Sequence, residues 1–483
     1  MNCHGTTCST VGLFGAPRWP LPFSRLVISQ LDFATYHRVL HPLSKVSRVT
    51  DQKTRGPLLS IFLTIFIDLI GFTILIPVFP LLIGTAKSQA FRVTPMSWSP
   101  SDGLIMLGWL QAIYPLCIFF AAPILGQISD RVGRRPILAV SIAGTAVGYC
   151  IFAIGIATKN IPLLFLGRAL DGVTGGNLAV AQAAIGDIST NENRAKNFGL
   201  IGAAFGLGFI LGPYIGGRLS APHVSFYGLF ITPSWFGATT PFWFAAGLAA
   251  LNAMFVFFRL PETIKEKTHR KVSIGESVKN VRAGFASPRL RIVLSSVFFW
   301  TCGFTFFTTF FGVYLANKFK FSQSETGDYF AIVGLFIAIV QGGIVGVIAK
   351  RQSDYRVLRY SVLVHGLMLA VYFLITSKSQ LYYFIPIFAL FQGLCQANFS
   401  SLMSRSAVPG QQGQAMGIYS SVTSIAQVPA SILVGYVASS IESNTPLILA
   451  SVLTLVGGAI FVVFFRPTFV SSATQPDAAA MSH

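Results

Sequence analysis

Three ionisable side chains stand inside long apolar stretches of this sequence, where a charge is costly. Asp68 lies within residues 66–77, while Arg168 and Asp171 lie three residues apart in a second stretch. Ionisable residues in hydrocarbon face the protein interior and pair there, so each of the three is a functional candidate. A carboxyl in such surroundings can take a proton from one side and release it to the other. Asp68 is therefore our candidate proton carrier.

Each of these residues also has a purely structural explanation. Asp68 could be a carboxyl locked to an arginine or to backbone groups. Arg168 and Asp171 share one helix face and could form a local ion pair that only neutralises both charges. We favour a transport role for Asp68 and keep both explanations open for the pair, in which Arg168 could instead tune an acid and alternate partners.

Further polar and aromatic side chains in apolar stretches could bind a solute, although a buried amide can equally hold two helices together. The candidates for a substrate cavity are Gln111, Asn177, Gln182, Trp300, Gln341, Gln392, Gln396, Asn398 and Gln427. Trp300 belongs to an aromatic run that ends at Tyr314, and we expect most of its rings to face lipid. His365 is isolated in its stretch, and we expect it to be a hydrogen-bonded core residue.

Two motifs are rich in glycine. GQISDRVGRRP, at residues 126–136, supplies the candidate gating residues Gly126, Asp130, Arg131, Gly133, Arg134 and Arg135. GLGFILGPYIGG, at residues 206–217, supplies Gly208, Gly212, Pro213, Gly216 and Gly217. Glycines spaced by four on one helix face let another helix approach closely, and a proline inside the helix favours a kink. The second motif therefore predicts either static tight packing or a sealed, bendable contact between two halves of the protein.

Membrane-spanning helices must position these residues. The chain of 483 residues is 53% hydrophobic and 11% charged, whereas a soluble chain carries about a quarter charged residues. Apolar runs of about twenty residues match the hydrocarbon core of a bilayer, where a helix satisfies its own backbone. We predict twelve spans, at residues 57–84, 103–125, 136–157, 161–185, 195–217, 239–259, 290–315, 325–349, 357–376, 380–404, 413–438 and 443–466.

The spans predict an all-α membrane protein with two six-helix halves, at residues 57–260 and 290–466. Residues 261–289 are polar and read as a cytoplasmic linker. Residues 1–56 form a cytoplasmic tail or a targeting segment, and residues 467–483 form a disordered tail. A weak internal repeat supports two parallel halves, because the glycine and arginine of GQISDR recur with the same spacing in GVIAKR at residues 346–351.

The net charge of +19 follows the connections between spans. Placing the N-terminus in the cytoplasm assigns 27 Lys and Arg residues to that side and seven to the other. Such an asymmetry predicts cytoplasmic termini at both ends of the chain. It also explains the positive charge without nucleic acid, for which the sequence contains no basic soluble module.

Enzyme signatures are absent from the sequence. There is no phosphate-binding GxxxxGK[ST], no GxSxG and no HExxH, and the six cysteines have no metal-ligand spacing. We therefore expect neither enzymatic activity nor a metal or other cofactor, and any uphill transport must use an ion gradient. The expected partners are the lipid bilayer, a small-molecule substrate and protons, and we expect a monomer.

The motifs together resemble those of the major facilitator superfamily. GQISDRVGRRP resembles its loop signature after span 2, and the stretch from Arg168 to Gly176 resembles the RxxxGxxG signature of its proton-coupled members. GPYIGG resembles the span 5 signature of its antiporters. The stretch from Asp68 to Pro77 resembles span 1 of tetracycline-efflux and related drug:proton antiporters, where LPET, here residues 260–263, is also common. The resemblance covers roughly residues 57–466.

This resemblance implies alternating access through two rocking halves. It implies that Asp130, Arg131 and Arg134 gate the inner side, that Asp68 is a proton or substrate site, and that Arg168 is its coupling partner. Two departures weigh against tetracycline itself as the substrate. Ile118 aligns where tetracycline pumps commonly have glutamine, and Asp171 replaces a residue that is usually uncharged.

Our leading hypothesis is a proton-coupled antiporter that exports small, partly hydrophobic compounds such as drugs, with Arg168 and Asp171 as the coupling group. One alternative is a metabolite or sugar porter of the same fold, although the antiporter-type glycines count against it. A second alternative is a non-transporting membrane scaffold or receptor. The resemblance favours the plasma (inner) membrane. Because the N-terminal segment could be a targeting signal, an organellar membrane is the alternative.

Overall fold

The computed structural model describes residues 52–82, 92–189, 194–226, 230–264, 267, 272–288, 290–349, 351–406, 412–440 and 445–466. Within these residues the regular structure is helical, apart from one isolated antiparallel bridge between Ser225 and Ile231. The C-terminal tail and all but the last five residues of the predicted N-terminal tail lie outside this part. Those five residues begin the first helix.

The helices follow the predicted spans, with additions. They are α1 (Gln52–Thr73), α2 (Phe79–Leu82), α3 (Pro100–Val132), α4 (Arg134–Ala157), α5 (Ile161–Thr174), α6 (Asn177–Ile188), α7 (Arg194–Leu219), α8 (Thr240–Arg259), α9 (Glu276–Ala286), α10 (Arg291–Lys318), α11 (Gln323–Ile339), α12 (Val345–Ala349), α13 (Asp354–Leu374), α14 (Lys378–Arg405), α15 (Gln412–Ser440) and α16 (Thr445–Phe464). A π-helical turn, Val340–Ile344, joins α11 to α12. The all-α membrane fold is confirmed.

Ten helices in the described part of the chain are long and apolar enough to cross a membrane. The two other predicted spans differ from these for separate reasons. Residues 161–185 are divided at Gly175 and Gly176 into α5 and α6, which have 14 and 12 residues. Residues 380–404 belong to the continuous α14 of 28 residues, which contains several amides and serines and is less apolar.

The helices run between two ends of the bundle. We call the end at which α3 passes into α4, at Gly133, the motif end, and the end at which α3 begins the distal end. The predicted linker contains a helix, α9, that the sequence did not predict. Ser277 of α9 donates a hydrogen bond to the carbonyl of Phe119 in α3, and Gly284 of α9 packs on Ile418 in α15.

At the distal end, helices α1–α8 meet helices α10–α16, and we call these two sets the N-terminal and C-terminal halves. The contacts join α3 to α15 and α7 to α11. A Cβ at Gly108 would lie 2.6 Å from the carbonyl oxygen of Ser431, and one at Gly435 would lie 2.7 Å from that of Leu104. Only glycine permits this approach. Towards the motif end, the space beside Gly126 and Gly346 is open.

The aromatic run of α10 lies in the core of the C-terminal half, so the expectation that most of its rings face lipid is wrong. Its buried members are Trp300, Phe306, Phe307, Phe310, Phe311 and Tyr314. The hydroxyl of Tyr314 donates to the carbonyl of Tyr372 at 2.7 Å, and the Tyr372 and Tyr329 hydroxyls are 2.9 Å apart. Because α10 packs against both α15 and α16, its rings fill the space between helices.

The contact between α3 and α15 predicts the effect of Gly108→Ala. The added methyl group would meet the backbone of α15, and such overpacking costs about 1–3 kcal/mol. We expect a lower midpoint of thermal unfolding in detergent, measured by loss of the monodisperse gel-filtration peak. Gly247→Ala is the control, because nothing lies within 4 Å of a Cβ at Gly247 in α8. A Gly108→Ala protein as stable as this control would contradict the packing.

Candidate functional site

Arg168 and Asp171 form a buried ion pair in the N-terminal half. Nη1 of Arg168 lies 2.9 Å from Oδ2 of Asp171, and each residue is 3% exposed. Nη2 of Arg168 lies 3.5 Å from Oε1 of Gln111, and the guanidinium stacks over the rings of Tyr114 and Phe79 at 4.6 and 5.7 Å. A buried charge requires such partners, because they replace the water that solvates it at the surface. The Nε atom of Arg168 has no hydrogen-bond partner in the described part of the chain.

Glycines on α5 and in the break that follows it make room for this pair. A Cβ at Gly172 would lie 2.6 Å from the carbonyl oxygen of Tyr114, and one at Gly176 would lie 2.8 Å from Cα of Ala122. The backbones of α5 and α3 therefore approach closely enough for Tyr114 to cover the guanidinium of Arg168. The glycines of the RxxxGxxG signature thus position the ion pair through packing.

Asp68 forms a separate contact, with Asn177. Nδ2 of Asn177 donates to Oδ1 of Asp68 at 3.1 Å, and Asp68 itself is half-buried. Asn177 is the first residue of α6, whose N-cap Gly176 supplies no side-chain cap. Helix N-termini carry partial positive charge and attract carboxylates. Asp68 in α1 is thus linked directly to the first residue of α6, at the break between α5 and α6.

The structure therefore brings the three predicted ionisable residues to the same half in two contacts. Arg168 binds Asp171, and Asp68 binds Asn177 without a hydrogen bond to Arg168. Aromatic packing joins the two contacts, because the ring of Tyr114 stacks on Arg168 and also lies 5.2 Å from the ring of Phe72 in α1. Local pairing of Arg168 holds in this conformation.

Residues 126–136, the motif GQISDRVGRRP, contribute to an ionic network at the motif end. Arg134 is buried, and its guanidinium contacts Asp130 at 2.6 Å, Asp187 at 3.0 Å and the hydroxyl of Ser129 at 2.6 Å. Arg131 is exposed. All of these contacts connect helices of the N-terminal half, because Asp187 lies at the end of α6. The network thus ties the ends of α3, α4 and α6 together.

Glu262, in the connection that follows α8, completes this network. The carboxylate of Glu262 accepts hydrogen bonds from the backbone N–H groups of Arg134 at 2.8 Å and Arg135 at 3.3 Å. It thereby satisfies the free donors at the N-terminus of α4 and complements its dipole. Gly133, beside this carboxylate, has a φ of 129°, which other residues rarely adopt. The side chain of Arg135 donates to the carbonyl of Phe257.

The C-terminal half repeats the ion pair with its charges exchanged. Asp354 begins α13 and binds Arg405, at the end of α14, at 3.2 Å, while the hydroxyl of Ser401 donates to it at 2.7 Å. In the N-terminal half, Arg134 begins α4 and binds Asp187 at the end of α6. Each half therefore closes its motif end by a salt bridge between the corresponding helices.

The glycine motif of α7 faces two different neighbours. Gly208, Gly212 and Gly216 face α1, where Cβ atoms would meet Leu69, Thr73 and Ile74. The adjacent face contacts the C-terminal half, because a Cβ at Gly217 would lie 2.5 Å from the carbonyl oxygen of Gln323, and the carbonyl of Pro213 faces Gly327. The motif therefore serves packing inside one half and contact between the halves.

Two of the predicted cavity amides meet in the C-terminal half. Nε2 of Gln341 donates to Oε1 of Gln396 at 3.2 Å in an exposed position. Gln341 lies in the π-helical turn, a feature common at functional sites. In the N-terminal half, the predicted cavity amide Gln111 contacts the guanidinium of Arg168. The cavity role of these three residues stays a prediction.

The other predicted amides and Trp300 are placed differently. Trp300 is buried and donates from Nε1 to Nδ1 of His365 at 3.3 Å, inside the core. Asn398 and Gln427 donate to carbonyls of their own helices, those of Leu394 and Thr423. Two remaining candidates are Gln392, which is buried, and Gln182, which is half-buried. These placements give Trp300 a packing role.

Sequence reasoning missed an ion pair between the halves. At the distal end, Arg218 of α7 binds Asp328 of α11 through both nitrogens, with Nη2 3.3 Å from Oδ2. The guanidinium also lies 3.9 Å from the centre of the Tyr214 ring. The available signal was the position of Arg218 directly after the glycine motif, and of Asp328 one turn into α11. Tyr114 and Glu262 were also missed as partners of charged groups.

Comparisons with known proteins agree with this arrangement. The sequence profile of the Major Facilitator Superfamily matches residues 61–428. The chain is 27% identical over 417 residues to the class C tetracycline resistance protein of Escherichia coli, covering 85% of this chain and 96% of that protein. It is 25% identical over 409 residues to major facilitator superfamily domain-containing protein 10 of Mus musculus, covering 76% and 84%.

Solved structures share the fold. The human organic anion transporter MFSD10 (TETRAN) superposes with a TM-score of 0.64 at 22% identity, over 84% of this chain and 99% of that one. A bacterial homologue of the human lysosomal transporter Spinster, in an inward-facing and occupied conformation, gives a TM-score of 0.68 at 15% identity, over 87% and 98%.

The buried ion pair predicts unequal effects of single and double substitutions. Asp171→Asn leaves the Arg168 cation buried without its anion, which costs about 3–5 kcal/mol. The double variant Arg168→Gln/Asp171→Asn removes both charges and should be more stable than Asp171→Asn alone. Thermal unfolding in detergent measures both proteins. The assignment fails if Asp171→Asn is as stable as wild type, or if the double variant is the least stable of the three.

Proposed function

Because this chain belongs to the major facilitator superfamily, we propose that it is a secondary transporter that exports small, partly hydrophobic compounds in exchange for protons. The observation that carries the proposal is the hydrogen bond between the half-buried Asp68 and Asn177. It places a protonatable carboxyl at the break between α5 and α6, next to a buried ion pair. A carboxyl that is only half-buried can exchange protons with a water-filled cavity.

The proposed coupling step runs through Asn177. Deprotonated Asp68 accepts a hydrogen bond from Asn177 and is attracted by the N-terminus of α6. Protonation removes the negative charge, so both attractions weaken and α6 is less firmly held to α1. Arg168, through Gln111 and Tyr114, then keeps α5 fixed to α3 while α6 shifts at Gly175 and Gly176. Proton binding is thereby converted into movement of one helix segment.

Alternating access requires contacts that can break at one end of the bundle. The proposal assigns the motif end to the cytoplasm, because most Lys and Arg residues of the chain belong to its connections. In this conformation the halves meet at the distal end, and the ionic network of Arg134 lies within one half. Opening the distal end would separate Arg218 from Asp328 and α3 from α15. The present conformation therefore corresponds to an inward-facing state.

The substrate class rests on the relatives. The bacterial relatives are tetracycline resistance proteins, and MFSD10 is described as an organic anion transporter. The proposed site offers an amide pair, Gln341 and Gln396, and the rings of Tyr114 and Phe79, which suit a compound with both polar and apolar parts. We propose such compounds as the cargo without assigning one of them.

The proposal predicts that Asp68→Asn abolishes coupling. Purified protein in liposomes is given an imposed pH gradient, and tetracycline, a hydrophobic organic anion and a hydrophobic organic cation are tested as substrates. Wild type should move at least one compound against its concentration gradient. Addition of that compound should cause protons to cross the membrane in the opposite direction. Asp68→Asn should lose proton-driven accumulation while keeping exchange of substrate at equal pH.

Two controls make this result specific. Glu276→Gln makes the same carboxyl-to-amide change at the start of α9 and should transport as wild type does. Asp68→Glu keeps a protonatable group and should retain part of the coupling. Undiminished proton-driven transport by Asp68→Asn would exclude Asp68 as the carrier. Glucose is tested as a fourth compound, and transport of glucose alone would favour a metabolite porter.

A further inference from the structure

A groove at the motif end lies outside the proposed transport site. Its volume is about 550 Å³, and it is formed by the first turns of α10, the last turns of α16 and the end of α9. The polar side chains that line it are Arg291, Ser295 and Arg466. No carboxylate of the described residues contributes to the lining, so the charge of the two arginines is not balanced within the groove.

The remaining walls of the groove are apolar. They consist of Phe285, Ile292, Ile460 and Phe464. Phe464 is 61% exposed and Phe285 is 36% exposed. Exposure of such large apolar rings to water costs free energy. The arginines flank these apolar side chains where two predicted spans end. This arrangement matches a molecule with an anionic head and a hydrocarbon chain.

Arg291 and Arg466 lie apart from the ion pairs that the described residues form. Arg291 is the first residue of α10, and no side chain caps that helix. A cation at a helix N-terminus is electrostatically unfavourable, so an anion bound there would relieve both the cation and the free N–H groups.

Helix α9 extends the same pattern along the motif end. Ile274 and Val278 are 72% and 55% exposed and share a face of this segment with Phe285, whereas Lys279 and Arg282 supply positive charge. Exposed apolar residues beside basic ones are typical of helices that lie in the membrane interface. A neighbouring face of α9 is held to the protein through Ser277 and Gly284.

We propose that the groove between α9, α10 and α16 binds an anionic phospholipid of the leaflet at the motif end. The phosphate lies between Arg291 and Arg466, and an acyl chain lies along Ile292, Ile460 and Phe464. Basic pockets between membrane helices bind such headgroups. The lipid would contact both α9 and the C-terminal half, so it would fasten the connection between the halves to that half.

The experiment is a lipid titration of delipidated full-length protein in detergent, followed by native mass spectrometry. The lipids are phosphatidylglycerol and phosphatidylcholine with the same acyl chains. Wild type should retain phosphatidylglycerol preferentially. Arg291→Gln/Arg466→Gln should weaken phosphatidylglycerol binding about 30-fold, because each basic residue near an anionic surface contributes about a fivefold factor.

Two further variants keep the result specific. Arg351→Gln/Arg356→Gln removes two exposed arginines at the same end and should bind phosphatidylglycerol as wild type does. Ser295→Phe keeps both arginines but fills the groove, and it should also lose the lipid; it decides the question if the double arginine variant does not fold. The proposal is overturned if phosphatidylcholine is retained equally well, or if both groove variants keep wild-type affinity.

Discussion

A charge buried among membrane helices must find its partner inside the protein, and Arg168 is where this constraint acts most strongly. Its guanidinium is held by Asp171, by Gln111 and by two aromatic faces. These partners come from α2, α3 and α5, so the helices must approach closely at one level of the bundle. The glycines of α5 allow that approach. The break after Thr174 then leaves Asn177 free to bind Asp68.

The remaining charges obey the same constraint at the ends of the bundle. Arg134 with Asp187 and Asp354 with Arg405 lie inside separate halves, so each half keeps its own helices together when the halves move. Arg218 and Asp328 belong to different halves. That pair, together with the glycine contacts of α3 with α15, has to break for the distal end to open. If the halves rock against each other as proposed, the pairs inside each half would stay formed and the pair between the halves would break.

Much of this arrangement could be predicted from the sequence because hydropathy and helical spacing are local properties. The apolar stretches gave the helices, and the three-residue spacing of Arg168 and Asp171 placed them on one face. Hydropathy could not tell a ring facing lipid from a ring facing another helix, since both surroundings are apolar, and the α10 run was misjudged for that reason. Pairing between distant residues, such as Arg218 with Asp328 or Glu262 with the start of α4, depends on tertiary approach.

If the protein transports by alternating access, its halves must separate at the distal end. The most direct measurement is transport by a Ser101→Cys/Ser439→Cys protein before and after oxidation, since the Ser101 hydroxyl donates to the Ser439 carbonyl at 3.2 Å. Oxidised Ser101→Cys protein controls for the native cysteines. We predict that the cross-link stops transport and that reduction restores it. Full transport by the cross-linked protein would show that the halves do not separate at the distal end during transport.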